Sequence, residues 1–192
     1  MGHENVQLMQ GSLEDWIQIG GPVDVNPTTV TLAKDILLNE EEDDVSTTQY
    51  IARDPVDVID MKTMINFVVE QNGDNNNNMD CTIVDPRGLK SFNENGHMPG
   101  AKNLPYRSLV QSDNQLKLKN VDELKILFED AGIDIQSEKP IVCSCGSGVS
   151  VCHVYLALEE CGRKGKTVIY DGSWNEWSQN PDVPKVIINN EN

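Results

Sequence analysis

From Asp54 onward, apolar residues recur along the chain in two rhythms. Val58, Met61, Ile65 and Val68 are spaced three, four and three residues apart, one face of a helix. Asp54 is placed to cap that helix, with Pro55 at its first position. Leu124, Leu127, Phe128 and Ala131 predict a second helix, opened by Asn120 with Glu123 in capping-box spacing and closed by Gly132. A third is predicted from about Gly148 to Cys161, ended by Gly162, and a short fourth carries Trp174 and Trp177. Between them lie apolar runs of strand length, Cys81 to Val84, Pro140 to Ser144 and Val168 to Tyr170. Short apolar strands alternating with amphipathic helices predict an α/β fold, a parallel sheet flanked by helices on both faces.

Before Asp54 the pattern fades. Pro22 and Pro27 interrupt it, and Glu40 to Asp44 is a run suited to a solvated linker. One partial repeat stands out: Val6 to Trp16 resembles Thr167 to Trp177, matching Gly11 with Gly172, Ser12 with Ser173 and Trp16 with Trp177. The interval between the copies is about one domain length, so the two segments are expected to end two homologous domains. Residues 1–22 are then the remnant, last strand and helix, of a first domain, 23–53 an acidic linker, 54–185 the second domain, which carries the chemistry, and 186–192 a tail. Apolar surface that such a remnant leaves uncovered is expected to promote self-association.

Charge and composition narrow the partners. The net charge of −16 excludes a direct nucleic-acid surface, which needs clustered Lys and Arg. No apolar run approaches the ~20 residues that span a bilayer, so no membrane partner is expected. Five cysteines, an odd number without paired spacing or a signal peptide, predict free thiols in a reducing compartment, cytoplasmic or mitochondrial. Gly2 follows Met1, but Val6 stands where N-myristoylation expects Ser or Thr.

Ile141 to Ser150 carries the chemistry. Ile141 and Val142 end a strand, Cys145 sits on a glycine-rich bend, and helical composition resumes at Val149. A thiol between a strand end and a helix start meets unpaired N–H groups and the positive end of the helix dipole, which stabilise its thiolate. Amides from Gly146, Ser147, Gly148, Val149 and Ser150 form a cradle for an anion. Gly146 and Gly148 permit its curl, and the Ser147 and Ser150 hydroxyls add donors. A cysteine phosphatase needs an arginine six positions after the nucleophile; here that position is Val151. No cofactor is expected, and Cys143 with Cys145 lacks the further ligands that zinc requires. Cys143, Cys152 and Cys161 are expected to be buried, Cys143 within reach of Cys145 for a resolving disulfide; His97 should be a hydrogen-bonding turn residue, and Trp174 and Trp177 packing residues.

Cys145 to Ser150, Gly96-His-Met-Pro-Gly-Ala101, Tyr170-Asp-Gly-Ser-Trp174 and Asp85-Pro-Arg87 together resemble the rhodanese/sulfurtransferase family. The fit is to the second, catalytic domain of two-domain members, above all mercaptopyruvate sulfurtransferases and the fungal tRNA-thiouridine sulfurtransferases. The resemblance implies that Cys145 takes sulfur from a small anionic donor, 3-mercaptopyruvate or thiosulfate, as a persulfide. It passes the sulfur to a thiol, cyanide, or a thioredoxin-like or sulfur-carrier protein, in a relay toward tRNA thiolation. The neutral loop favours mercaptopyruvate over a dianion. Arg87 and Lys90 are the expected donor-binding cations, because Ser91 stands where the family places its second arginine and the loop at 93–95 is shortened. These departures keep a second reading open, a truncated and catalytically weak module for protein interaction or sulfur carriage.

Overall fold

In the computed structural model, residues 9, 11–24, 58–68, 81–114 and 116–188 are described. Asp54, most of the acidic linker, the asparagine run near Asn75 and the first copy's strand segment lie outside them. The chain divides into two units, Met1–Pro55 and Val56–Asn192. In the first, helix α1 (Leu13–Gln18) is capped by a reciprocal pair: the Ser12 hydroxyl accepts from the Asp15 amide, and the Asp15 carboxylate accepts from the Ser12 amide. Leu13 and Ile17 are exposed on it.

The second unit holds the sheet. Its strands are β1 (Val58–Ile59), β2 (Thr82–Asp85), β3 (Lys102–Asn103), β4 (Ile141–Cys143) and β5 (Thr167–Tyr170). They lie in the order β1-β5-β4-β2-β3, every pair parallel. The helices are α2 (Met61–Val68), α3 (Leu89–Glu94), α4 (Tyr106–Leu109), α5 (Val121–Asp130), α6 (Val151–Glu160) and α7 (Ser173–Gln179).

Alternation along the strands splits the core in two, as a pleated sheet requires. Val84, Ile141 and Cys143 face one layer with Leu124 and Phe128 of α5 and Val154 and Leu158 of α6. Ile83, Val142 and Val168 face the other with Met64 of α2 and Trp174 and Trp177 of α7. Both faces are covered, as the apolar strands predict. Helix α5 carries the predicted cap: Asn120 Oδ1 accepts from the Glu123 amide at 3.0 Å and Glu123 Oε2 from the Asn120 amide at 3.2 Å. Gly132 closes it at φ 67°, a conformation that favours glycine.

One boundary differs from expectation. Val58 belongs to strand β1, paired with Ile169 of β5, and not to the helix that follows. That helix is capped at Asp60, whose Oδ1 accepts from the Thr63 amide at 2.9 Å and the Thr63 hydroxyl at 2.7 Å. A two-residue edge strand has no period of its own, and tertiary pairing decides it. At the other end, the 186–192 segment begins with structure: His97 and Val186 exchange two backbone hydrogen bonds of 2.9 Å.

Candidate active site

Strand β4 ends at Cys143 with its side chain in the core, and the chain then turns across the carboxyl end of the sheet. The following loop is aimed by α7, which comes later in the sequence. The Ser173 hydroxyl accepts from the Cys145 amide at 3.1 Å and donates to the Tyr170 carbonyl at 2.8 Å. The Trp174 and Asn175 amides donate to the carbonyls of Cys145 and Gly146 at 2.9 and 3.0 Å. Two of the orphan N–H groups of a helix start are thereby satisfied. With those carbonyls held outward, the amides that follow turn toward the sulfur. Ser173 holds this corner at φ 52°, the one non-glycine residue at positive φ among the described residues.

Cys145 is almost wholly buried, at 2% exposure. That burial is the largest single influence on its thiol and opposes ionisation. Hydrogen bonds from the Ser150 hydroxyl and the amides of Ser147, Val151 and Ser150 together outweigh it and bring the thiol below its ordinary range. Ser150 occupies the N-cap position of α6 without capping it; its hydroxyl serves the sulfur instead. The helix starts at Val151, a few residues after the expected start near Gly148.

The predicted loop residues play different parts. Gly148 is required: it adopts φ 78°, and a β-carbon there would lie 2.5 Å from Asp171 Oδ1. Gly146 is not held so tightly, since its β-carbon would meet only the Arg87 stem at 3.9 Å. Val149 is exposed at the tip of the loop. Cys145, Gly146, Ser147, Val149 and Ser150 line a cavity of about 430 Å³ with Arg87, Gly88, Ser91, Tyr106 and His153. A larger cavity, about 530 Å³ beside Lys125 and Glu129, has no cysteine, histidine or hydroxyl in its lining.

The two expected donor-binding cations lie in different surroundings. Arg87 reaches the cavity but its guanidinium is engaged: Nη2 lies 2.6 Å from Asp85 Oδ2 and donates to the Gly96 carbonyl at 2.9 Å. Nε donates to Asp85 as well, and the group lies 5.3 Å above the Trp174 ring. It ties β2 to the 96–98 turn and to α7. Lys90 stands on α3 with its side chain 85% exposed toward Glu94, and is absent from the cavity lining.

Cys152 is corrected: it is exposed, because Val151, Val154, Ala157 and Leu158 form the buried stripe of α6 and leave it on the outer side. Cys143 is fully buried, and that burial pushes its thiol up to about 12 against the opposing Arg163 charge. Its thiolate is scarce at neutral pH, which weighs against a resolving role. His97 is buried, stacked on Phe92 at 3.7 Å, with Nδ1 3.1 Å from the Phe92 carbonyl. Among the described residues no cluster of His, Cys, Asp or Glu is arranged to hold a metal. Sequence reasoning missed Tyr106 and His153, whose rings lie 5.0 Å apart at the cavity wall. His153 follows Cys145 by two helical turns, a signal too weak to single it out alone.

This arrangement can ionise a buried thiol and receive a small anion beside it. The chain is 31% identical over 195 residues to the mitochondrial thiosulfate/3-mercaptopyruvate sulfurtransferase 1 of Arabidopsis thaliana, covering 95% of this chain and 49% of that protein. It is 29% identical over 185 residues to the thiosulfate sulfurtransferase of Gallus gallus, covering 92% and 54%. The chain thus spans about half the length of the curated relatives it matches. Among solved structures, SseA from Escherichia coli, a 3-mercaptopyruvate sulfotransferase with the rhodanese fold, superposes with a TM-score of 0.52 at 32% identity, over 64% of this chain and 44% of that one. The rhodanese-like domain model matches residues 69–180, more than half of the sequence, and the chain belongs to the rhodanese-like family.

Proposed function

We propose that the protein is a sulfurtransferase acting through a Cys145 persulfide. The observation that carries this reading is the ring of donors on a buried sulfur, the Ser150 hydroxyl and the amides of Ser147, Ser150 and Val151, with valine at position 151 where a cysteine phosphatase needs arginine. In the first half-reaction the Cys145 thiolate attacks the outer sulfur of the donor. The bond on its far side breaks, and its electron pair leaves with sulfite or with the enolate of pyruvate, which then takes a proton. The amides that held the thiolate would hold the persulfide anion in turn. In the second half-reaction an acceptor thiolate, cyanide or a sulfur-carrier protein attacks the terminal sulfur and releases the Cys145 thiolate. The donor we favour is 3-mercaptopyruvate, whose single negative charge suits a cavity where the one arginine is already paired. Delivery to protein carriers, in a relay toward tRNA thiolation, accords with the acidic net charge of −16, which disfavours direct contact with RNA. A cytoplasmic or mitochondrial setting accords with a mitochondrial relative.

Incubation with either donor followed by intact mass measurement tests the proposal. A gain of one sulfur that is abolished in Cys145→Ser is the expected result. An unmodified protein under both donors would refute it. The paired state of Arg87 and the outward Lys90 also favour a second reading, a carrier module that takes sulfur from another protein's persulfide. Sulfur uptake from a protein persulfide but from neither small donor would select that reading.

A further inference from the structure

If the cavity beside Cys145 receives an anion, something other than Arg87 and Lys90 must meet its charge. The remaining lining offers few groups suited to that task. Ser147 and Ser150 lie at the sulfur itself, Gly88 and Val149 have no polar side chain, and Ser91 and Tyr106 add only hydroxyls, that of Ser91 already accepting from Asn95 Nδ2 at 3.1 Å. His153 does have one, on the first turn of α6 and two residues beyond the amide that Val151 gives to the sulfur. Its ring is held by Tyr106 at 5.0 Å and 46°. Its two nitrogens stand in different surroundings. Nδ1 is buried without a hydrogen-bond partner, whereas the residue as a whole lines the cavity, which leaves Nε2 to meet it. A buried N–H without an acceptor is rarer than an unmatched lone pair. The unpartnered Nδ1 is therefore assigned the lone pair and Nε2 the proton, as a donor toward the cavity.

We propose that His153 is the donor-binding residue for the anionic end of the sulfur donor, receiving a carboxylate or sulfur-oxyanion oxygen through Nε2–H. This rests on the sulfurtransferase reading and deepens it. One neutral N–H, with the Tyr106 ring beside it, matches a monoanion with an apolar body. The role thus passes to a residue on the first turn of the helix that follows the Cys145 loop.

The test follows persulfide formation by intact mass against donor concentration, for wild type, His153→Leu, His153→Gln and His153→Asn, with 3-mercaptopyruvate and thiosulfate as separate arms. His153→Leu is expected to raise the half-saturating concentration roughly tenfold, the factor of one lost charge-assisted hydrogen bond. The loss falls on that concentration more than on the limiting rate. His153→Gln, whose amide nitrogen reaches the place of Nε2, restores most of it; His153→Asn, which mimics Nδ1, does not. Discharge of a preformed persulfide by dithiothreitol proceeds as in wild type. Because Nδ1 gains no bond in the fold, thermal midpoints should stay close to wild type, which separates binding from unfolding. Saturation of His153→Leu at the wild-type concentration of both donors would overturn the assignment, as would equal losses in Gln and Leu variants of unchanged stability. Wild-type protein that takes no sulfur would refute the sulfurtransferase reading alone. The His153 assignment would then be judged by pyruvate binding to Cys145→Ser protein, with and without His153→Leu, where unchanged affinity refutes it.

Discussion

Replacing Ser150 by alanine removes the side-chain hydrogen bond to the Cys145 sulfur and leaves three amides in place. A hydrogen bond to a charged group contributes about 1.5–3 kcal/mol, and about 1.4 kcal/mol corresponds to a tenfold change in an equilibrium. The lower end applies, because the remaining amides and solvent compensate in part. The sign is fixed: the hydroxyl stabilises the thiolate, so its loss moves ionisation to higher pH. At neutral pH the thiolate fraction, and with it the rate of alkylation by iodoacetamide, should fall roughly tenfold. At alkaline pH both proteins are ionised and the rates converge. The assay is best run in a Cys152→Ser background, since Cys152 is exposed and would react in parallel, while Cys81, Cys143 and Cys161 are buried. An unchanged pH profile would refute the claim that Ser150 stabilises the thiolate. A deficit that persists at high pH would refute it as well, by assigning the effect to access.

Gly148→Ala places a β-carbon 2.5 Å from Asp171 Oδ1 on a backbone at φ 78°, so the loop must move. We expect Cys145 alkylation and persulfide formation to fall by tenfold or more, and wild-type rates would show that the curl tolerates a side chain. Arg163 is buried and its guanidinium donates to the carbonyls of Ile135, Ser137, Lys139 and Lys166. Arg163→Lys keeps the charge but loses the planar fork, and should cost about 2–4 kcal/mol in denaturant unfolding; a loss below about 0.5 kcal/mol would refute the clamp.

The strand-turn-helix around Cys145 was legible because each part has a local cause: β-branched residues at Ile141 and Val142, glycine at Gly148, an apolar stripe from Val151 to Leu158. The α5 helix was legible for the same reason, with its cap and its closing glycine in sequence. What could not be read depended on partners distant along the chain. Val58 and Ile59 form a strand only because β5 offers them an edge. Arg87 looks like a free cation until Gly96 and Trp174 close around it. Lys90 lies beside the right residues but on the outer side of a helix. Tyr106 and His153 meet across 47 residues of chain, and no spacing rule joins them. Cys152, by contrast, could have been placed: the stripe of Val151, Val154 and Leu158 excludes it.

The grip of α7 on the Cys145 loop has a consequence for how the protein is made. A ribosome releases the chain from its amino end, so the nucleophile emerges before the residues that aim it. Ser173, whose hydroxyl holds the Cys145 amide, follows by 28 residues. At about 5–20 residues per second, that gap lasts a few seconds. The loop that carries the sulfur is therefore complete in sequence before the helix that fixes its backbone has emerged.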